Sequence, residues 1–257
     1  MTDDLDLVRR ELVVANRVLA HENVIDAYGH VSMRHPHHRD RMLLSWSRSP
    51  ELVGLDDILE FTFDGQVVGN DRRPPYRERF IHAAVYQSRP DVHAVVHAHA
   101  EDVLPFGIVD VPLRPVIHSG SFIGAHVPVW DIEDSFGPDT NLLVSNLAQG
   151  RDLAGRLGAA NVVLMRGHGF TATAGNLIDV VRLSVYLPRN ARVQMAAMRM
   201  GTPKYLTAGE INARSGGDYG PKTNVTQRAW TYWASRAGCL DLLPTADFSA
   251  GDPLMRD

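Results

Sequence analysis

The stretch that constrains this chain most is Arg89–Ala100, RPDVHAVVHAHA, where His97 and His99 stand two apart at the end of an apolar run. Side chains alternate between the two faces of a β-strand. With Val92–Ala98 as a strand, His93, Val95, His97 and His99 share one face, and Ala94, Val96 and Ala98 the other. Two imidazoles at neighbouring pleats of one face can hold one metal ion. A third, His168, lies between Gly167 and Gly169, just past a second apolar run, Val162–Met165. Glycines on both sides allow close backbone approach and positive φ. The pattern predicts one divalent ion held by His97, His99 and His168 with a coordination position left open, as catalytic sites have it. Neutral imidazoles suit Zn2+, Mn2+, Fe2+ or Co2+, and these residues do not choose among them.

Composition narrows the surroundings of such a site. The 257 residues are 44% hydrophobic, and no Pro/Gly/Ser-rich or charge-run linker interrupts them. A single domain over 1–257 is expected, with 222–257 as a C-terminal helix and tail. A net charge of −4 argues against nucleic-acid or acidic-membrane partners. The single cysteine, Cys239, leaves no disulfide framework and points to a reducing, cytoplasmic compartment. The acidic start Met1–Asp4 has no signal-like apolar stretch, and no apolar run reaches the ~18 residues of a membrane span.

Periodicity supplies the frame. Leu5, Val8, Leu12, Ala15 and Leu19 form one helical stripe ending near Asn23. Short strands are expected at Tyr28–Met33, Met42–Leu44, Val127–Trp130 and Val162–Met165, with a hairpin of Leu59–Thr62 and Gln66–Val68 about Asp64-Gly65. Pro74-Pro75 enters a helix over Glu78–Gln87, which Pro90 ends. Pro112–Ile117 reads as extended. Asn146 caps a helix to Leu157, stopped by Gly158. A long helix over Asn176–Met200 is expected to kink or split at Pro188, Gly201–Lys222 to be irregular, and Val225–Ala237 to be helical, with Trp230 and Trp233 packing or forming a lid. Strands interleaved with helices predict a three-layer α/β/α fold around a mixed sheet.

Three further groups bear on chemistry. Glu78 opens the helix that leads into the histidine strand. It is either a solvated partner of the helix dipole or an acid/base beside the metal. Arg48, Arg77 and Arg79 are surface cations or a clamp for an anionic substrate, since guanidinium matches carboxylate in two-pronged fashion. His118, in Val116–Gly120, is a proton donor or a loop hydrogen bonder.

The segment Glu78–His99, ERFIHAAVYQSRPDVHAVVHAH, together with Arg166–Gly169, resembles the class II aldolase/adducin family, and the likeness extends from the first helix to the long helix after Asn176. The resemblance implies a three-layer α/β/α homotetramer with active sites near subunit interfaces. It also implies His97, His99 and His168 as metal ligands, with Glu78 as the catalytic glutamate. Where sugar-phosphate aldolases of the family cradle phosphate with small residues, this chain has Gly29-His30, Ser47-Arg48 and Tyr76-Arg77, and near their catalytic tyrosine it has Ser119. Phosphate is thereby disfavoured, and His30, Arg48, Arg77 and Ser119 are expected to bind a carboxylate-bearing substrate instead. The stretches LRPVIHSGSFIG and RLSVYLPRNARVQM are similar to the family's decarboxylase branch, which acts on hydroxylated aromatic dicarboxylates such as 3,4-dihydroxyphthalate. The expected chemistry is loss of CO2, with the metal stabilising the enolate and Glu78 or His118 delivering the proton to carbon. The alternatives are an aldolase on an unphosphorylated or carboxylate-bearing hydroxy-ketone, a three-histidine iron(II) oxygenase, and a non-catalytic module of adducin type.

Overall fold

In the computed structural model, which describes residues 2–214 and 223–244, the N-terminal apolar stripe becomes helix α1 (Thr2–His21), with Leu12, Ala15 and Leu19 fully enclosed. Seven strands form one sheet: β1 (His30–Arg34), β2 (Arg41–Ser45), β3 (Ile58–Thr62), β4 (Ala94–Ala98), β5 (Val129–Trp130), β6 (Val162–Met165) and β7 (Gly169–Ala174). Their order is β3-β2-β1-β4-β7-β6-β5; every pairing is antiparallel except β5 with β6, so the sheet is mixed.

Alternation along β4 sorts the layers. Ala94, Val96 and Ala98 join a core with α1, α6 (Leu177–Met200) and α8 (Asn224–Arg236). Val95 faces the other way, into a second core with α2 (Arg79–Ser88) and α5 (Leu147–Leu157). Helices therefore cover both faces, giving the α/β/α sandwich. Short helices α3 (Pro105–Ile108), α4 (Ile132–Phe136) and α7 (Ala208–Arg214) complete the described α-helices. Asn146 and Asn176 cap α5 and α6 by accepting from Gln149 and Asp179 N–H groups.

The structure adjusts this frame in four places. The expected hairpin forms, Thr62 N–H donating to the Gln66 carbonyl and Val68 N–H to the Glu60 carbonyl, but its return pairs as an isolated bridge, Phe61 to Val67, and not as a strand. Helix α6 runs unbroken through Pro188, so it is not split; buried side chains hold it on both sides of the proline. Within the segment expected to be irregular, Ala208–Arg214 is helical, while 215–222 lie outside the described residues, as does the tail 245–257. Strand β7, unrecognised in the sequence, fills the centre of the sheet between β4 and β6. Trp230 and Trp233 are buried in the core, so they pack and do not close over a site. Pro112–Ile117 is extended but unpaired with the sheet; α6 side chains satisfy it, Asn190 Oδ1 accepting from Val116 N–H and Gln194 Oε1 from Arg114 N–H. Among the described residues no helix is long and apolar enough to cross a membrane.

Candidate metal centre and active site

The centre forms where β4 ends, β6 turns into β7 and α2 begins. His97 is the last core-enclosed residue on its face of β4, and His99 follows just beyond the strand. The turn Met165–His168 closes with His168 N–H donating to the Met165 carbonyl, and Gly167 takes the left-handed φ of +62° that this turn requires. Gly169 serves a different need: a Cβ there would stand 2.2 Å from the Ala98 carbonyl oxygen. The two glycines around His168 thus press the turn against β4.

Glu78 occupies the N-cap position of α2 yet makes no side-chain cap to its own helix. Its side chain is buried, with Oε1 accepting from Val144 N–H at 3.0 Å and Oε2 lying 3.4 Å from His97 Nε2 and 3.6 Å from His168 Nε2. The solvated-dipole reading of Glu78 is excluded by that burial. One ligand atom each from Glu78, His97, His99 and His168 fall within 4.8 Å of one another.

The second nitrogen of each ring is anchored. Nδ1–H of His97 donates to the Phe170 carbonyl (3.1 Å), that of His168 to the Leu142 carbonyl (2.8 Å), and that of His99 to Asp26 Oδ1 (3.1 Å). Acceptors at all three Nδ1 positions place the protons there and turn bare Nε2 lone pairs inward, as outer contacts of metal-binding histidines do. His97 Nε2 and His99 Nε2 are then only 3.0 Å apart. Two lone pairs at that distance repel unless a cation or a proton lies between them, so the donor set fits a divalent ion.

Electrostatics agree with that fit. Burial pushes the Glu78 carboxyl up, but the neighbouring His97 and His168 outweigh it and hold the carboxyl well below the usual carboxylate range. Burial opposes protonation of His168 too, yet its contact with Glu78 raises it above the ordinary histidine value. His97, fully enclosed, is pushed down to about 4 by burial despite Glu78. The Glu78 carboxylate thus favours protonation of His168, while burial disfavours it at His97.

The centre opens on a hollow of about 580 Å³. Tyr28, Leu142 and Leu143 give it apolar walls; Ser47, Arg77 and Asn141 give it polar ones. Of the residues expected from the sequence to contact substrate, His30 and Arg77 line it. Arg48 does not: its guanidinium donates to the Leu52 carbonyl at 2.7 Å and pairs with Asp57 at 3.2 Å. His118 and Ser119 lie on a short 3-10 turn, His118–Ile123, outside this hollow; Ser119 lines a separate one of about 370 Å³ with Phe122, Arg182 and Tyr186. Ser47, named from the sequence beside Arg48, lines it although Arg48 does not. Tyr28, Asn141, Leu142 and Leu143 were missed; they belong to loops with no motif of their own, and only its place next to Gly29-His30 marks Tyr28.

Residues 10–195 match the model of the class II aldolase and adducin N-terminal domain. The chain belongs to that family. It is 37% identical over 203 residues to the decarboxylase tropJ of Talaromyces stipitatus, covering 74% of this chain and 76% of that protein. It is 28% identical to the 3,4-dihydroxyphthalate decarboxylase of Arthrobacter keyseri, covering 75% and 79%. Among solved structures, an aldolase II superfamily protein from Pseudomonas syringae superposes with a TM-score of 0.75 at 20% identity over 91% of this chain and 92% of that one, a likeness of fold. The family placement and the decarboxylase relatives make this chain an enzyme of the carboxy-lyase type.

Proposed function

We propose that the protein is a metal-dependent decarboxylase of a hydroxylated aromatic or heteroaromatic (di)carboxylate. The observation that carries this reading is the hollow itself: apolar walls wide enough for a ring, one cation, Arg77, and the Glu78/three-histidine cluster at its floor. Two relatives whose names are decarboxylases support it. His97, His99 and His168 would hold the ion, Zn2+ or Mn2+ first among the candidates that imidazole suits. When bound, it supplies Lewis-acid stabilisation of negative charge developing on oxygen.

The chain's own residues do the rest. Arg77, exposed and without a hydrogen bond or ion pair among the described residues, grips a substrate carboxylate. Tyr28 and Leu142 confine the ring. Glu78 begins ionised, so its first act is that of a base. It takes the proton of the ring hydroxyl beside the departing carboxylate. Glu78 returns that proton to the ring carbon bearing the carboxylate, leaving a ketone beside it, so that when the C–C bond breaks its electron pair passes to that oxygen and CO2 leaves. Its Val144 contact keeps the carboxylate aimed throughout. His118, outside the hollow in this chain, would reach it only from a neighbouring subunit in the homotetramer that also belongs to this reading. The expected outcome for Glu78→Gln, which keeps the Val144 N–H bond and loses the base, is a fall of roughly 100-fold or more in kcat for CO2 release. Near-normal turnover by that variant removes Glu78 from proton transfer. Formation of an aldehyde plus a ketone without CO2 supports the aldolase instead, and oxygen uptake the oxygenase.

A further inference from the structure

Behind His30 runs a buried chain of polar groups that neither metal binding nor proton transfer uses. His30 Nδ1 lies 2.7 Å from His82 Nε2, His82 Nδ1 lies 2.6 Å from Ser32 Oγ, and Ser32 Oγ lies 2.8 Å from the Tyr86 hydroxyl. All four side chains are enclosed, none more than 2% exposed. They come from two elements: His30 and Ser32 share one face of β1, and His82 and Tyr86 lie four apart on α2. The far end is the His93 carbonyl, which the Tyr86 hydroxyl reaches at 3.5 Å. The near end is the ring of His30, on the hollow.

A chain of this kind has a direction. Each link needs one donor and one acceptor, so fixing any proton fixes all of them. The far end sets it: the His93 carbonyl can only accept, so it takes the Tyr86 hydroxyl proton, and the Arg34 guanidinium, 5.0 Å from the Tyr86 ring centroid, strengthens that phenol as a donor. Ser32 then donates to Tyr86, His82 Nδ1–H to Ser32, and His30 Nδ1–H to the bare Nε2 of His82. His30 is left with a bare Nε2. The chain ends blind on main chain, so it orients protons and has no outlet to carry one away.

We infer that His82, Ser32 and Tyr86 are positioning residues that lock His30 in its Nδ1–H tautomer, making it a neutral acceptor that reads a hydroxyl donor on the substrate. This deepens the substrate class proposed above and rests on that reading for the identity of the hydroxyl. It does not rest on it for the tautomer. Full burial of His30 and His82, which disfavours the charged imidazolium, fits a neutral lock.

The lock makes an unusual demand of a remote hydroxyl. In Tyr86→Phe, Ser32 loses its acceptor and turns its proton toward His82 Nδ1. His82 and His30 then both flip to Nε2–H, and His30 becomes a donor.

The test is solid-state NMR of 15N-histidine-labelled, zinc-loaded full-length protein, with His30 and His82 assigned by loss of their signals in His30→Asn and His82→Asn. The wild type is expected to show bare Nε2 on both rings, and Tyr86→Phe bare Nδ1 on both. If Tyr86→Phe fails to fold, Ser32→Ala is expected to show both tautomers of His82 together. A protonated Nε2 on His30 in the wild type, or tautomers unmoved in both variants, overturns the lock. With 3,4-dihydroxyphthalate as probe, Tyr86→Phe is expected to raise KM about tenfold with kcat within about twofold, the loss of one hydrogen bond. A kcat collapse at unchanged KM overturns the hydroxyl-reading role. Absence of CO2 from every hydroxylated aromatic carboxylate tried sinks the decarboxylase reading and leaves the tautomer result standing.

Discussion

Replacing Gly169 by Ala tests whether the register of β4 against β7 sets the metal geometry. The new Cβ would lie 2.2 Å from the Ala98 carbonyl oxygen and 3.1 Å from Cδ2 of His99. Carbon and oxygen pack at about 3.3 Å or more, so the two strands must part by roughly 1 Å at this point. One strand carries His97 and leads into His99; the other leads back into the turn holding His168. Metal–nitrogen bonds near 2 Å tolerate only about 0.2 Å of error. The shift therefore cannot be absorbed without weakening a bond, and zinc affinity is expected to fall about 10- to 100-fold, the range seen when an outer contact of a ligand is lost. Overpacking also costs about 1–3 kcal/mol, which for a chain of this size lowers Tm by about 2–4 °C per kcal/mol. Gly155→Ala is the control: its Cβ meets nothing within 4 Å on α5, so it should gain about 0.4–1 kcal/mol and leave affinity unchanged. Competition against a chelating dye, alongside melts of metal-free and zinc-loaded protein, reads both quantities. Gly169→Ala that melts lower yet binds zinc as the wild type does would refute the reasoning, because the register would then be irrelevant to the centre.

Metal affinity should depend on pH through His168, whose raised value, from its contact with Glu78, means that a proton must leave before the ion binds. Calorimetric titration is expected to show affinity constant at high pH and falling about tenfold per unit below that value, with the fall beginning at lower pH in Glu78→Gln. Arg77→Ala is expected to raise KM for a dicarboxylate at least tenfold and Arg48→Ala to leave it within about twofold, since only Arg77 faces the hollow. Burial pushes His82 down to about 3. The unfolded chain takes up that proton near pH 6.5, so this stability is full above 6.5 and drains as pH falls toward 3. The ceiling is about 4–5 kcal/mol. Melts from pH 8 to 4 should show a shallower loss in His82→Gln.

The layers were readable because their causes are local. The stripe on α1 and the alternation along β4 put apolar groups on one face wherever the backbone is regular, and the two cores follow. Strand β7 was not readable for the opposite reason. Gly169–Ala174, GFTATA, carries mostly small residues that read as turn or loop; it is a strand because β4 and β6 bond it from both sides, so burial comes from its neighbours. The convergence of the three histidines was legible because residue type and spacing there are specific. Their Nδ1 acceptors were not, since two of the three are main-chain carbonyls, of Phe170 and Leu142, which leave no trace in residue identity. Arg48 and Arg77 look alike in sequence, and only Asp57 brought beside one of them tells them apart.

The site is divided between rigid and variable parts in a way that bears on how such a scaffold takes its substrates. The floor is built on the end of β4, the β6–β7 turn and the N-cap residue of α2, and each of its three histidines has an acceptor at Nδ1. The walls come from the segments around Tyr28, Ser47, Tyr76–Arg77 and Asn141–Leu143, all loops between elements. Loops tolerate substitution because their side chains answer to few packing partners. Holding negative charge on oxygen and moving one proton are needs shared by decarboxylation and aldol cleavage, and the floor meets both. What separates the two is whether the walls present a cation and an apolar slot to an aromatic carboxylate, or small groups to a phosphate. Arg77, Tyr28 and Leu142, which line the hollow, are what the proposed function assigns to the first course. His30 stands on the boundary: it is set in β1 like the floor, yet lines the hollow like the walls, and its Nδ1 is bonded from the core side by His82.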